Sequence, residues 1–367
     1  MQADTSTGEP VPITTYHLQG EDRGGQEICP KFSPDGEWLL CVMGVYVLGA
    51  WQTRDQQRID LPIAGEILDV VFSPTGERLA VVHDECTSVL EWPSCREVAR
   101  FSWPSQECYF EFVGADHLLL KNDDQLKLWN VNTGAVVLDW STWKTGAFLI
   151  YDRRGDLVAL AEDEQRDYLW AINLRTRERT LACGYKGLSH RPLQFTRDMR
   201  RVLICTEYQP ASYELWDMEV GHLCGQVTRA DFKGVHPIMS ADGRYLVGET
   251  RSCDALMVWD ILDDRLAQRI ELGGRYPPLA VSPTHLLAAV IANRAEDRID
   301  RTLFVDFSTG VCLGETSGHV QGLGGGSFSP CGRWFGSAVP DLNYSRAGDA
   351  DRRRAGVIAS GLRLPGR

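Results

Sequence analysis

Short apolar runs recur along the chain, each closed by a polar turn. Val70-Val71-Phe72 leads into Ser73-Pro74-Thr75-Gly76, and Leu79-Ala80-Val81-Val82 into His83-Asp84-Glu85. Ser88-Val89-Leu90-Glu91-Trp92 then alternates, and a polar run, Glu97-Val98-Ala99-Arg100-Phe101, follows one more turn. Runs of this length and residue type predict β-strands. The order is a buried inner strand, a second buried strand, a half-buried third and a solvated fourth. In the first turn Pro presets φ and Gly accepts positive φ. One such unit cannot bury both of its faces, so units must stack against each other.

The unit repeats. Phe32-Ser33-Pro34-Asp35-Gly36, Phe72-Ser73-Pro74-Thr75-Gly76 and Phe328-Ser329-Pro330-Cys331-Gly332 carry one turn, with weaker copies at Met239-Ser240-Ala241-Asp242-Gly243 and Val281-Ser282-Pro283-Thr284. A second mark ends the third run: Trp51, Trp92, Trp129, Trp170, Trp216, Trp259 and Phe304, spaced 37 to 46 residues apart. Asn or Asp follows at Asn130, Asp217 and Asp260, and at Asp306 one place further on. The third turns are clearest at Asn132-Thr133-Gly134 and Ser308-Thr309-Gly310. A period near forty residues is that of a four-stranded propeller blade, so the expected fold is an all-β propeller of four-stranded antiparallel blades.

The Phe-Ser-Pro-Asp-Gly turns and the pairs Trp216-Asp217 and Trp259-Asp260 resemble the WD40 repeat family over residues 13–340. The family's Gly-His pair occurs in place once, at Gly318-His319. A PD40-type propeller shares the turn but not the Trp-Asp pairs. Inner strands are expected to end at Phe32, Phe72, Phe112, Tyr151, Phe195, Met239, Val281 and Phe328, which gives eight blades; seven with an extra hairpin is the alternative. As the family resemblance implies, the run Ile13-Thr14-Thr15-Tyr16-His17-Leu18 would close the ring as the outer strand of the last blade. That blade takes its first two strands from residues 322–329 and 334–339 and lacks a recognisable third. Residues 1–12 read as a flexible N-terminus. Residues 341–367 read as a disordered tail with six arginines, and Val357-Ile358-Ala359 is its only strand-like run. A truncated or frame-shifted end, or a basic contact for nucleic acid or lipid, would look the same.

Composition narrows the partners. The net charge of −12 argues against a general nucleic-acid platform. No apolar run reaches the eighteen or so residues of a membrane span, and Met1-Gln2-Ala3-Asp4 lacks the basic and apolar regions of a signal peptide. A cytoplasmic monomer with no membrane contact is expected. The eleven cysteines contain no Cys-x-x-Cys pair, so they read as structural thiols, Cys41, Cys205 and Cys253 among them.

No catalytic or phosphate-binding motif is present. The run Gly322-Leu323-Gly324-Gly325-Gly326 leads into a strand and not a helix, so it reads as tight packing. Acidic residues fall at the second turns: Asp84, Glu85, Asp123, Asp124, Glu162, Asp163, Glu164 and Glu249. An acidic rim and ordinary solvated turns both fit them. Residues just before the inner strands should crowd the top mouth of the channel. These are Glu27, Glu66, Glu107 and Tyr109, then Lys144, His190, Arg191, His236, Arg275 and Tyr276. Carboxylates come first and cations, imidazoles and an aromatic after, a division that suits a protein segment carrying both charges, with Tyr109, Trp143 and Tyr276 as anchors. The family resemblance implies a non-catalytic scaffold with a protein partner and no cofactor. The alternative is a lactonase- or hydrolase-like propeller enzyme with a channel metal on His190 and His236, and Glu249 or Glu207 as third ligand.

Overall fold

The computed structural model describes residues 13–19, 30–43, 47–61, 63, 67–83, 86–102, 109–121, 125–140, 147–153, 156–162, 168–173, 176, 178–184, 191–198, 200–208, 211–228, 232, 237–272, 277–293, 299–320, 325–338 and 356–362. Their strands form eight four-stranded antiparallel sheets. We number the sheets in chain order. Sheets one to seven are each one continuous stretch: residues 31–60, 67–102, 109–140, 147–184, 191–227, 238–271 and 278–320. Sheet eight combines Gly325–Phe328, Trp334–Ala338 and Gly356–Leu362 with the N-terminal strand Ile13–Gln19.

Register explains the continuous apolar runs. In sheet two Leu79 faces Leu90 and Ala80 faces Val89 across the ladder. Leu79, Val81 and Leu90 pack toward sheet one with Leu40, Leu48 and Ala50. Ala80, Val82 and Val89 pack the opposite way, against Phe110, Leu118 and Leu120 of sheet three. A strand buried on both faces needs no polar alternation. Each large side chain so buried contributes about 1.5–3 kcal/mol. First strands of neighbouring sheets touch, as at Ile67–Phe72 with Tyr109–Val113 and Pro278–Val281 with Gly325–Phe328. The architecture is that of a β-propeller with four-stranded antiparallel blades.

The turn motif is a hydrogen-bond device. Ser33 Oγ accepts the Trp38 amide at 2.9 Å and donates to Asp35, whose Oδ1 accepts the Glu37 amide at 2.9 Å. Gly36 takes φ of 74°. Ser240 and Asp242 repeat the arrangement around the Tyr245 and Arg244 amides, and Ser329 accepts the Trp334 amide. The Trp-Asp mark caps the third turn. Asp217 accepts the amides of Glu219 and Val220, and Asp260 those of Leu262 and Asp263. Arginine ties the two marks together: Arg200 Nε donates to Asp217 at 2.9 Å and Arg244 Nε to Asp260 at 3.0 Å.

Several expectations need correction. The last sheet does not lack its third strand. Gly356–Leu362, placed by sequence inside a disordered tail, pairs with Trp334–Ala338 on one side and Ile13–Gln19 on the other. The rest of 341–367 and residues 1–12 lie outside the described residues. At the ends of the third runs, expected to be half-buried, Trp51, Trp92 and Trp129 are instead buried, whereas Trp170, Trp216 and Trp259 are half-buried, and Trp216 Nε1 donates to Glu214. Glu249 does not sit on an acidic rim. It ends the strand Tyr245–Glu249 and is buried. Cys41 and Cys205 are core residues, whereas Cys253 sits in a turn at positive φ. Gly326 does pack tightly, since a Cβ there would lie 2.5 Å from Phe335 Cζ.

Candidate functional site at the first-turn end

The first turns of sheets five to eight and of sheet one gather at one end of the molecule. Arg197 of sheet five donates its amide to Ala241 O of sheet six at 3.1 Å and its guanidinium to Pro283 O of sheet seven at 3.3 Å. Thr284 Oγ1 donates to Cys331 O of sheet eight at 3.3 Å. A Cβ on Gly36 of sheet one would stand 3.2 Å from Cys331 Sγ. Turns far apart in sequence therefore form one contiguous surface. Ser327 adds a further tie between the last and first sheets, donating to Pro30 O at 2.7 Å.

A cleft of about 800 Å³ opens on this surface beside sheets six and seven. Arg197, Asp242, His285, Leu286, Asp306 and Leu313 line it. The strand register positions these residues. Ser282 bonds Leu287 as Ser73 bonds Arg78, so His285 stands where sheet two has Gly76, and Leu286 where it has Glu77. Thr196 likewise takes the place of Ser73, so Arg197 replaces the turn proline. Thr284 Oγ1 and His285 Nδ1 are 2.8 Å apart, and His285 is exposed. Asp242 Oδ1 and Asp306 Oδ1 serve their own turns. The lining thus offers a guanidinium, an imidazole, two carboxylates and apolar side chains, a set suited to recognition.

Electrostatics around this end are governed by the turn caps. Burial alone would raise the Asp217 carboxyl, but the Glu219 and Val220 amides and the Arg200 guanidinium outweigh it and hold it below the usual carboxylate range. The Thr196 hydroxyl does the same for Asp198. Among the described residues no group of three or more His, Cys, Asp and Glu side chains is placed to hold a metal ion.

The residues expected to crowd a mouth at the opposite end of the first strands lie almost wholly outside the described residues. Tyr109 and Arg191 begin the first strands of sheets three and five, and only their backbones are described. Glu27, Glu66, Glu107, Lys144, His190, His236, Arg275 and Tyr276 fall outside, as do Trp143 and the acidic residues Asp84, Glu85, Asp123, Asp124, Asp163 and Glu164. Along the first strands the structure shows ties that the sequence reading missed. Lys31 Nζ bonds Asp69 and Val70 O, while Gln194 donates to Pro237 O at 3.1 Å and accepts the Met239 amide at 2.6 Å. Their signal was a polar residue inside an apolar first strand. The cleft has no comparable signal, because Arg197 and His285 depart from the turn motif that marks the repeat.

No protein-family model matches the chain, and no curated protein matches it. Solved structures do. The crystal structure of the computationally designed Ika8 protein aligns with a TM-score of 0.64 at 13% identity, covering 95% of this chain and 100% of that one. The crystal structure of the RRP9 WD40 repeats aligns with a TM-score of 0.52 at 13% identity, covering 97% and 99%. The chain has the fold of a WD40-type β-propeller.

Proposed function

We propose that this chain is a non-catalytic protein-interaction scaffold that holds a protein segment in the first-turn cleft. The eight sheets are then eight blades, and the N-terminal strand seals the ring as the outer strand of the last blade. The pairing of Ile13–Gln19 with Gly356–Leu362 and the bond from Ser327 to Pro30 support that closure. The observation that carries the functional reading is the cleft itself. Its volume suits several side chains, and its key lining residues, Arg197 and His285, occupy turn positions that Pro and Gly hold elsewhere. WD40-type propellers serve as binding platforms, which adds to the reading by analogy of fold alone. The fitting partner is a segment with an acidic group for Arg197, a basic group for Asp242 or Asp306, and an apolar side chain for Leu286 and Leu313.

A second reading places the partner at the opposite mouth. The segregation of Glu27, Glu66 and Glu107 from Lys144, Arg191 and Arg275 along the sequence favours it. Affinity capture from a native lysate separates the two. Three baits are compared: the native chain, an Arg197→Glu/His285→Glu variant and an Arg191→Glu/Arg275→Glu variant. Loss of a partner with the first variant alone supports the cleft. Loss with the second alone moves the site to the mouth. Identical capture by all three overturns both assignments.

A further inference from the structure

Sheet two holds a cluster that the scaffold reading does not use. His83 and Cys86 face each other across the second hairpin, at the ends of the strands Arg78–His83 and Cys86–Glu91. Ser88 lies two residues further on the same face, and Arg100 of the outer strand faces Ser88. His83 and Ser88 are 4% and 1% exposed, while Cys86 is half-buried. Across the joint, sheet one presents Leu40, Leu48 and Leu61 to the core cluster that Val81 and Leu90 share.

The hydrogen bonds run in one direction. Ser88 Oγ donates to Glu97 Oε2 at 2.9 Å, so the same hydroxyl accepts from His83 Nε2, also at 2.9 Å. This assigns the imidazole proton to Nε2 and leaves Nδ1 as the basic nitrogen. Cys86 Sγ lies 3.7 Å from Nδ1 and 3.5 Å from Nε2. A proton moved from the thiol to Nδ1 leaves a thiolate beside an imidazolium. The Ser88–Glu97 chain then stabilises that imidazolium. Arg100 completes the set: its guanidinium forks onto Glu97, with a closest approach of 2.6 Å, and interacts with the Cys86 sulfur as well. Thiolates form where such cations surround a partly accessible cysteine. Cys95 of the same sheet is the contrast. It is also half-buried, but burial only pushes its thiol up.

We propose that Cys86 is a nucleophilic thiol poised for exchange with low-molecular-weight disulfides, with His83 as its base and Ser88, Glu97 and Arg100 as positioning residues. His83 Nδ1 takes the thiol proton, and the Cys86 thiolate attacks one sulfur of the disulfide. A new sulfur–sulfur bond forms as the old one breaks, and the departing thiolate recovers the proton from the imidazolium. The disulfide is the only oxidant needed, and one equivalent of thiol is released.

The test is site-resolved kinetics on the full chain. The native protein is incubated with oxidised glutathione at pH 7, remaining thiols are alkylated at intervals, and each cysteine peptide is quantified by mass spectrometry. Cys86 is expected to form its mixed disulfide at least tenfold faster than Cys95. Glu97→Gln, an isosteric change at a part-exposed position, should slow Cys86 severalfold and leave Cys95 unchanged. His83→Gln should slow it further, with circular dichroism confirming that this buried substitution still folds. A Cys86 rate no higher than that of Cys95, or one that Glu97→Gln does not alter, overturns the proposal.

Discussion

Sheets two and six solve one problem in different ways. Each has a first turn whose serine and glycine hold the hairpin, and each must anchor the turn after its third strand. In sheet six Arg244 reaches back to Asp260, which is fully buried and also caps two turn amides. The tie stays inside the sheet. In sheet two Glu91 precedes Trp92-Pro93 and there is no buried cap. Glu91 instead pairs with Arg96 on the surface. The arginine that opens the second strand, Arg78, reaches across to sheet three, donating to Asn132 Oδ1 at 2.6 Å and approaching Asp116 at 3.3 Å. The repeat therefore conserves a backbone shape while its charged side chains serve either a sheet or a joint.

The largest break in this comparison is Asp260→Ala. It leaves two turn amides without their acceptor and strands Arg244, and should lower unfolding stability by about 2–4 kcal/mol in urea titration. Glu91→Ala removes an exposed pair, and its unfolding midpoint should match the native one within error. Equal effects from the two would show that burial of the cap does not matter. Arg78→Met should be intermediate in reach: amide exchange should quicken in both sheets two and three, whereas Arg244→Met should quicken only sheet six.

Acid sharpens the picture in sheet five. The Asp217 carboxyl titrates below its unfolded value, so its contribution is present above about pH 4 and is lost as pH falls through the lower folded value. Asp217→Asn should therefore destabilise most near neutrality, and the gap from native should narrow as pH drops below about 4. A gap independent of pH would mean that shape, not charge, makes the cap.

These particulars also show what a sequence exposes. Ser33, Asp35 and Gly36 were legible because each has one framework task that recurs from sheet to sheet. The first strands ending at Phe32, Phe72, Met239 and Phe328 are placed correctly for that reason. Gly356–Leu362 was not legible as the missing third strand, because residues 339–355 separate it from Trp334–Ala338 and no Trp-Asp mark ends it. Arg197 and His285 were invisible as departures from a motif. His83, Ser88, Glu97 and Arg100 lie on three strands, and only the register brings them together.

The most direct test of the cleft is photo-crosslinking. A photoreactive residue is placed at position 285, or at position 137 on the exposed outer strand of sheet three, and each protein is irradiated with its captured partner. The account predicts crosslinks from 285 that map to one short partner segment carrying acidic, basic and apolar residues, and none from 137. Crosslinks from 137 with silence at 285 would contradict it.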